Sequence, residues 1–278
     1  DYTLQLAQGK TTVEIVATDI YNNTSKERID VVRTVEMGTF DPTKRNGKDY
    51  ALVIATDHFN EYSDLNNPIN DANTLADLLE TTYNFEVDTL YDPTRVGIYQ
   101  KLRDYNQKVF SDDDQLFIFI AGHGEFDDIF TEGYIVTKDS KADDEVKETF
   151  ISHSNLRTIV NNIPCKHIFL TMDVCFGGTF DPEVARAGAK ANTTEKGQSF
   201  SYQTRKYLTS GGKQYVPDGR PGRHSPFATV LLGALNTTTE QITSKEMFQE
   251  VKDLKPRPQS GTFGNNEKGS LFHFYKGQ

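Results

Sequence analysis

The chain has 278 residues, of which 36% are hydrophobic and 25% charged, with 30 Lys and Arg against 40 Asp and Glu. This apolar content excludes a disordered chain. No run of residues approaches the roughly 18 apolar residues that a membrane span needs. The net charge of -10 argues against nucleic-acid binding. The two cysteines are too few for a disulfide framework or a four-thiolate zinc site. The composition does not indicate a cellular compartment. Because the chain begins at Asp1 rather than Met, we expect further N-terminal sequence, with room for further domains.

The first 37 residues have the pattern of β-strands. Hydrophobic and polar residues alternate over residues 4–18 around a turn at 8–10, and a second turn at 19–25 precedes a third strand at 27–35. Three antiparallel strands cannot close a sandwich, so we predict that residues 1–37 are the end of an immunoglobulin-like module or a β-rich extension. Residues 38–48, with two glycines and a proline, are the predicted linker to a main domain at 49–278.

From residue 49 onward, apolar strand patterns alternate with amphipathic helix patterns. The predicted strands are 50–55, 85–91, 115–121, 167–172, 205–209 and 271–275. The predicted helices are 68–79, a helix from the Thr94 cap to Val109, 154–163, 226–235 after the Ser225 cap, and one begun by a Thr243/Glu246 capping box. This alternation predicts an α/β fold, with a mostly parallel sheet of about six strands flanked by helices on both faces.

Two predicted central strands end in residues that suit chemistry better than packing. His123 lies between Gly122 and Gly124, and Cys175 follows Asp173 after the next central strand. Adjacent parallel strands are about 4.8 Å apart and end at the same edge of the sheet, so their loops can bring the imidazole and the thiol together. A thiol needs such a base to become a nucleophile near neutral pH, and the backbone N–H groups of Gly124 and Cys175 are candidate oxyanion donors.

Each of these residues also has an ordinary interpretation. A lone cysteine after a strand is usually a small buried hydrophobe, and a lone histidine in a loop is usually solvated. The two motifs occur together, 52 residues apart and each after a core strand, which favours an active site. Cys165, which follows Pro164 with no glycine or acid nearby, is predicted to be structural.

The sequence here resembles the caspase-like cysteine peptidases, the clan of caspases, metacaspases and their bacterial relatives. The resemblance rests on AGHGE at 121–125 and DVCFGG at 173–178, with the histidine about 50 residues before the cysteine. It extends to residues 65–72, which are similar to a metacaspase element, and to 133–136 with Asp139, which resemble the hairpin after the catalytic histidine. Residues 224–228 are similar to a helix start in bacterial members. It implies a His123/Cys175 dyad, a large-subunit part at about 49–180 and a small-subunit part at about 203–278.

The departures from the caspase pattern predict a different specificity. Where caspases have a glutamine two residues before the cysteine, this chain has Asp173, whose carboxylate would repel an acidic P1 side chain and pair with Arg or Lys. The chain resembles metacaspases, which cut after basic residues, at Asp173 and at Asp71. The other interpretation of Asp71 is an acid at a helix N-terminus. Cys175-Phe176-Gly177 in place of the usual metacaspase C-H-S makes the bacterial caspase-like proteins the nearer pattern.

Three segments carry further predictions. Residues 180–202 are expected to be a surface loop, with self-cleavage at Arg186, Lys190 or Lys196 as the functional alternative. Residues 207–212 resemble the strand that pairs with extended substrates, with Ser210 as a substrate contact. Residues 217–223 are either a loop beside the cleft or a simple surface loop.

No cofactor or obligatory metal is predicted. Many metacaspases require calcium, but the acidic clusters at 111–114 and 139–148 lack the spacing and the glycine of a calcium loop, which favours a solvated acidic surface.

The two motifs and the resemblance predict a cysteine endopeptidase that acts on protein or peptide substrates. The alternative is a catalytically silent scaffold or regulatory interaction module, and a redox thiol protein would lack a resolving cysteine.

Overall fold

The computed structural model describes residues 9–33, 45–175, 177, 180, 200–212 and 216–277, with residues 9–11 and 30–33 described by their backbone alone. The chain divides into two compact units, residues 1–40 and 41–278. Arg45, within the predicted linker, belongs to the second unit and pairs there with Asp49. No helix in the described part of the chain is long and apolar enough to cross a membrane.

The first unit contains an antiparallel hairpin of β1 (Gly9–Thr18) and β2 (Thr24–Arg33). The Asp19 carboxylate accepts the backbone N–H groups of Tyr21 and Asn23, so the turn predicted there is confirmed. The predicted turn at 8–10 is wrong for Gly9 and Lys10, because both pair with β2 and the ladder outweighs the local turn signal. The predicted strand before residue 9 lies outside the described residues, and the immunoglobulin-like origin of this unit stays a prediction.

The second unit alternates strands and helices as the sequence predicts. Its elements, in chain order, are β3 (Asp49–Ala55), α1 (Pro68–Tyr83), β4 (Glu86–Tyr91), α2 (Arg95–Gln107), β5 (Gln115–Gly122), β6 (Gly124–Asp127), β7 (Glu132–Ile135), β8 (Ile151–Ser152), α3 (His153–Asn161), β9 (His167–Val174), β10 (Thr204–Thr209), α4 (Pro226–Thr237), β11 (Gln241–Thr243), α5 (Ser244–Val251), β12 (Gln259–Thr262) and β13 (His273–Tyr275).

Within the described residues, the central sheet has six strands in the order β12-β10-β9-β5-β3-β4. All neighbouring pairs are parallel except β10 and β12, which confirms the predicted mostly parallel sheet. The sequence did not predict β12. The predicted last strand at 271–275 does not join this sheet, since β13 pairs with β11 in a separate two-stranded sheet.

The core lies on both faces of the sheet because successive residues of each strand point to opposite sides. Along β3, Ala51 and Val53 pack with apolar residues of α1, α4 and α5, whereas Leu52 and Ile54 pack with those of α2 and α3. Helices therefore cover both faces, as predicted.

Most predicted helix starts are confirmed in detail. The Thr94 and Ser225 side chains accept backbone N–H groups at the first turns of α2 and α4, and the Thr243/Glu246 capping box is present. Val109 is an error of the sequence prediction. Helix α2 ends at Gln107 and Val109 is 92% exposed, because the backbone becomes extended at Lys108.

Candidate active site

The two motif residues leave neighbouring strands at the same edge of the sheet. Strands β5 and β9 are parallel and adjacent, with Ala121 beside Asp173 and Gly122 beside Val174. His123 and Cys175 are the next residues after these positions, so the register alone brings them to a common edge.

A cleft of about 380 Å³, open to solvent, lies at this edge. Both motif residues and both predicted pocket acids, Asp71 and Asp173, belong to its lining. The residues around the cleft are Leu65, Pro68, Asp71, Ala121, Gly122, His123, Asp173, Val174, Cys175, Val216, Pro217, Asp218 and Ser225.

The His123 ring is held from two sides. Its Nε2 lies 2.8 Å from the carbonyl oxygen of Ser63, and because a carbonyl only accepts, Nε2 carries the hydrogen. Nδ1 is then the acceptor nitrogen of the neutral imidazole. The ring also packs against Phe59 and Tyr62, with centroid distances of 4.8 and 6.3 Å. The arrangement fixes which nitrogen can take up a proton.

Cys175 is 7% exposed, and its sulfur accepts a backbone hydrogen bond. The Val216 N–H donates to Sγ at 3.3 Å. Burial raises the pKa of the Cys175 thiol, while the N–H groups of Val216 and Gly124 act in the opposite direction. The resting thiol is therefore protonated near neutral pH and needs a base to become a thiolate.

Gly124 is a glycine because the backbone of Cys175 lies directly against it. A Cβ at this position would lie 2.1 Å from the carbonyl oxygen of Cys175 and 3.2 Å from its nitrogen. The close approach couples the loop after His123 to the cysteine, and it keeps the Gly124 N–H near the sulfur.

Asp71 and Asp173 meet through one serine. Ser225 donates its hydroxyl to Asp173 at 2.6 Å and its backbone N–H to Asp71 at 3.1 Å. Burial raises the pKa of Asp173, and it raises the pKa of Asp71 to about 6 in spite of hydrogen bonds from His224 and Ser225. The side chain of Asp71 therefore bonds to the segment before α4. It does more than interact with the start of its own helix, which was the other interpretation of this residue.

Several cleft residues were not found from the sequence. Val216 lines the cleft, and so do Pro217 and Asp218, which supports the cleft interpretation for the start of the loop at 217–223. His224 Nδ1 lies 2.6 Å from Asp71, and the Asp218 carboxylate accepts the backbone N–H of Asn66 at 2.7 Å. The only sequence signal for these residues was the PDG turn and the His-Ser-Pro helix start.

Ser210 lies at the end of β10 and is buried. Its N–H donates to Met172 O at 2.9 Å, and its hydroxyl partly offsets the rise that burial causes in the pKa of Asp173. Ser210 is not among the described residues that line the cleft. The predicted edge pairing of this strand with a substrate is wrong for residues 207–209, because β9 and β12 occupy both edges of β10 there. A contact between substrate and Ser210 stays a prediction.

Several acids of the two acidic clusters bond to the protein itself. Asp114 accepts the N–H and hydroxyl of Ser111, and Asp144 accepts those of Thr149. Among the described residues, no group of three or more His, Cys, Asp or Glu side chains could hold a metal ion. Cys165 is almost fully buried, and burial raises its pKa to about 12, as expected of a structural thiol. Arg186, Lys190 and Lys196 lie outside the described residues.

The fold and the site define a class. The structure is similar to that of caspase-1 from Spodoptera frugiperda, with a TM-score of 0.63 and 15% sequence identity over 88% of this chain and 96% of that chain. The chain therefore has a caspase-like fold.

The sequence gives the family. A family model described as the caspase domain matches residues 48–261, so the chain belongs to the caspase-domain family of cysteine peptidases, which act on protein substrates. A search of curated proteins finds no match.

Proposed function

We propose that the chain is a cysteine endopeptidase that cleaves after Arg or Lys, with Cys175 as nucleophile and His123 as acid and base. The observation that carries the proposal is the shared cleft, which holds the thiol, the imidazole and three carboxylates, those of Asp71, Asp173 and Asp218.

The chemistry starts from a neutral thiol. His123 Nδ1 takes the thiol proton as Cys175 attacks the scissile carbonyl, and the imidazolium keeps its second hydrogen on Nε2, bonded to Ser63. The N–H groups of Gly124 and Cys175 stabilise the oxyanion of the tetrahedral intermediate. His123 then protonates the leaving amine, and water hydrolyses the thioester to release the acid and restore the thiol.

The basic preference follows from the charge of the cleft. A guanidinium that reaches Asp71, Asp173 or Asp218 makes charge-assisted hydrogen bonds, each contributing about 1.5–3 kcal/mol. An acidic side chain would meet three carboxylates in the same space. We therefore expect Arg and Lys to exceed the neutral isosteres citrulline and norleucine at P1 by about 10- to 100-fold in kcat/KM.

The test is covalent labelling with an Arg-containing peptide electrophile, together with a P1 peptide series. Labelling should occur on Cys175, disappear in Cys175→Ala and slow strongly in His123→Ala. A chain that cleaves after Asp but ignores Arg and Lys would contradict the P1 proposal alone. A chain that folds but never labels is the silent scaffold, and the catalytic proposal is then wrong.

Self-cleavage between the two parts of the domain belongs to the same proposal. Arg186, Lys190 and Lys196 offer the basic P1 residues that the cleft would accept. Mass analysis of the purified chain should find cuts after these residues, and a Cys175→Ala chain that is still cut there would contradict self-cleavage.

A further inference from the structure

The turn formed by residues 57–65 contacts His123 through Ser63, Phe59 and Tyr62, and we call it the supporting turn. Its Ser63 carbonyl accepts the Nε2 hydrogen at 2.8 Å, and its Phe59 ring packs against the imidazole at 4.8 Å. Whatever fixes Ser63 and Phe59 relative to each other also fixes the imidazole between them.

Asp64 joins these two residues. It follows Ser63 directly in the chain, and its Oδ1 accepts the backbone N–H of Phe59 at 3.1 Å. Its Oδ2 accepts from Nδ1 of His58 at 2.9 Å. One carboxylate therefore closes the tip of the turn across the four residues, 60–63, that separate Phe59 from Asp64.

The base of the supporting turn is anchored without Asp64. The Asp92 carboxylate accepts the N–H groups of Asp57 and His58 at 2.8 and 3.0 Å. Leu65 donates its N–H to Asp57 O, and Asp57 Oδ1 accepts the N–H of Ile69 at the start of α1. Removing the Asp64 carboxylate should therefore release Phe59 from the residue after Ser63, while the base of the turn and the helix stay in place.

We propose that Asp64 is a positioning residue for His123, acting through the N–H of Phe59 and the carbonyl of Ser63. The inference rests on the proposed function, because it assumes that His123 takes the proton of the Cys175 thiol. Without Asp64 the Ser63 carbonyl can leave Nε2, and the bond that holds the hydrogen on Nε2 and leaves Nδ1 as the acceptor is lost. The effect is on the chemical step, and substrate binding is left unchanged.

The bond to Phe59 matters more than the ion pair with His58. Both ionic side chains are more than half exposed, and exposed ion pairs contribute little because solvent screens them. His58→Gln should therefore keep the activity of the unmodified chain, and Asp64→Asn should rescue what Asp64→Ala loses, because an amide oxygen can still accept the Phe59 N–H.

The test measures alkylation of Cys175 by iodoacetamide against pH, using the full chain and mass analysis of the Cys175 peptide. In this reaction the thiol proton passes to His123, the sulfur displaces iodide from the methylene carbon, and a thioether forms. The reagent has no P1 side chain, so the result does not depend on the specificity proposal.

In Asp64→Ala we expect the alkylation rate to fall about tenfold at pH values below the pKa of the thiol. This loss is smaller than the roughly hundredfold that a misplacement of about 1 Å can cost. The rate should converge with that of the unmodified chain at high pH, where the thiol ionises without a base. In peptide cleavage kcat should fall and KM should stay. The matched control is Asp77→Ala, which removes an exposed acid from α1.

Three outcomes overturn the inference. These are an unchanged rate in Asp64→Ala, a loss of rate that persists at high pH and so reports damage to the fold, and an Asp64→Asn variant as slow as Asp64→Ala. If His123→Ala alkylates as fast as the unmodified chain, the proposed dyad itself fails, which is a separate result.

Discussion

Gly124→Ala tests the close approach of the two active-site loops. The added Cβ would lie 2.1 Å from the carbonyl oxygen of Cys175, whereas a carbon and an oxygen without a covalent bond stay about 3.3 Å apart. The loop after His123 and the backbone of Cys175 must therefore separate by about 1.2 Å. The atoms nearest to the added Cβ all belong to the backbone of Cys175, so no side chain can rotate away to make room.

The expected loss follows from that displacement. A misplacement of about 1 Å between reacting groups costs about 100-fold in kcat, and overpacking of this kind destabilises a fold by about 1–3 kcal/mol. The assay combines kcat on an Arg-P1 peptide, the alkylation rate of Cys175, and the free energy of unfolding from urea denaturation.

The control separates the clash from the general effect of adding a methyl group. Gly233 lies within α4, and apart from the backbone of that helix no atom of the described residues would lie within 4 Å of a Cβ there. Gly233→Ala should therefore keep kcat and raise the unfolding free energy by up to about 1 kcal/mol. If Gly124→Ala retains kcat within about twofold of the unmodified chain, the argued coupling between the two loops is refuted.

Three further predictions concern the pocket acids and the core. Selectivity for Arg over citrulline at P1 should rise with pH through about 6, because burial raises the pKa of Asp71 and only its ionised form pairs with a guanidinium, and Asp71→Asn should flatten this rise in a kcat/KM series. Ser225→Ala removes the α4 cap and the donor to Asp173, and it should lower the unfolding free energy by about 1–2 kcal/mol and weaken Arg-P1 cleavage, with Ser225→Thr as the control that keeps the hydroxyl. Arg205 is 2% exposed and donates to four backbone carbonyls. Arg205→Met should therefore lower the free energy of unfolding by about 3 kcal/mol in urea denaturation, while kcat stays near its original value. A loss below about 0.5 kcal/mol would contradict a stabilising role for these four hydrogen bonds.

Parts of the site could be predicted because they depend on local patterns and one topological rule. The buried runs of β5 and β9 identify central strands, and parallel strands end at a common edge. His123 and Cys175 follow those strands directly, so no knowledge of tertiary packing was needed to bring them together. Asp173 comes with them as the residue beside Ala121 in the register.

The rest of the cleft could not be predicted because it is made by contacts between distant parts of the chain. Asp218 binds Asn66 across 152 residues, and His224 binds Asp71 across 153 residues. No periodicity or spacing records such a pairing. The same holds for Ser63, whose part in the site is played by a backbone carbonyl that every residue type carries.

The missed strand β12 has a similar cause. It is four residues long and contains Gly261, both of which weaken a strand signal. Gly261 pairs with Tyr207 and lies so close to its ring that a Cβ would be 2.7 Å from it. Gly261 therefore weakens the strand signal in the sequence and, at the same time, leaves the room that β12 needs to pair with β10. With β12 in place, the middle of β10 has no free edge for a peptide.

The cleft depends on both sides of the segment at 180–202. His123, Cys175 and Asp71 come from before it, whereas Val216 and Ser225 come from after it. Strands β9 and β10 flank this segment and pair in parallel over six residues, so the sheet itself holds the two parts together. A cut in the segment would leave that ladder intact. Ser225 joins Asp71 to Asp173, so two of the three acids proposed to select a basic side chain belong to the first part and are held by the second, and Asp218 belongs to the second part itself. The proposed dyad and the proposed specificity therefore need both parts assembled.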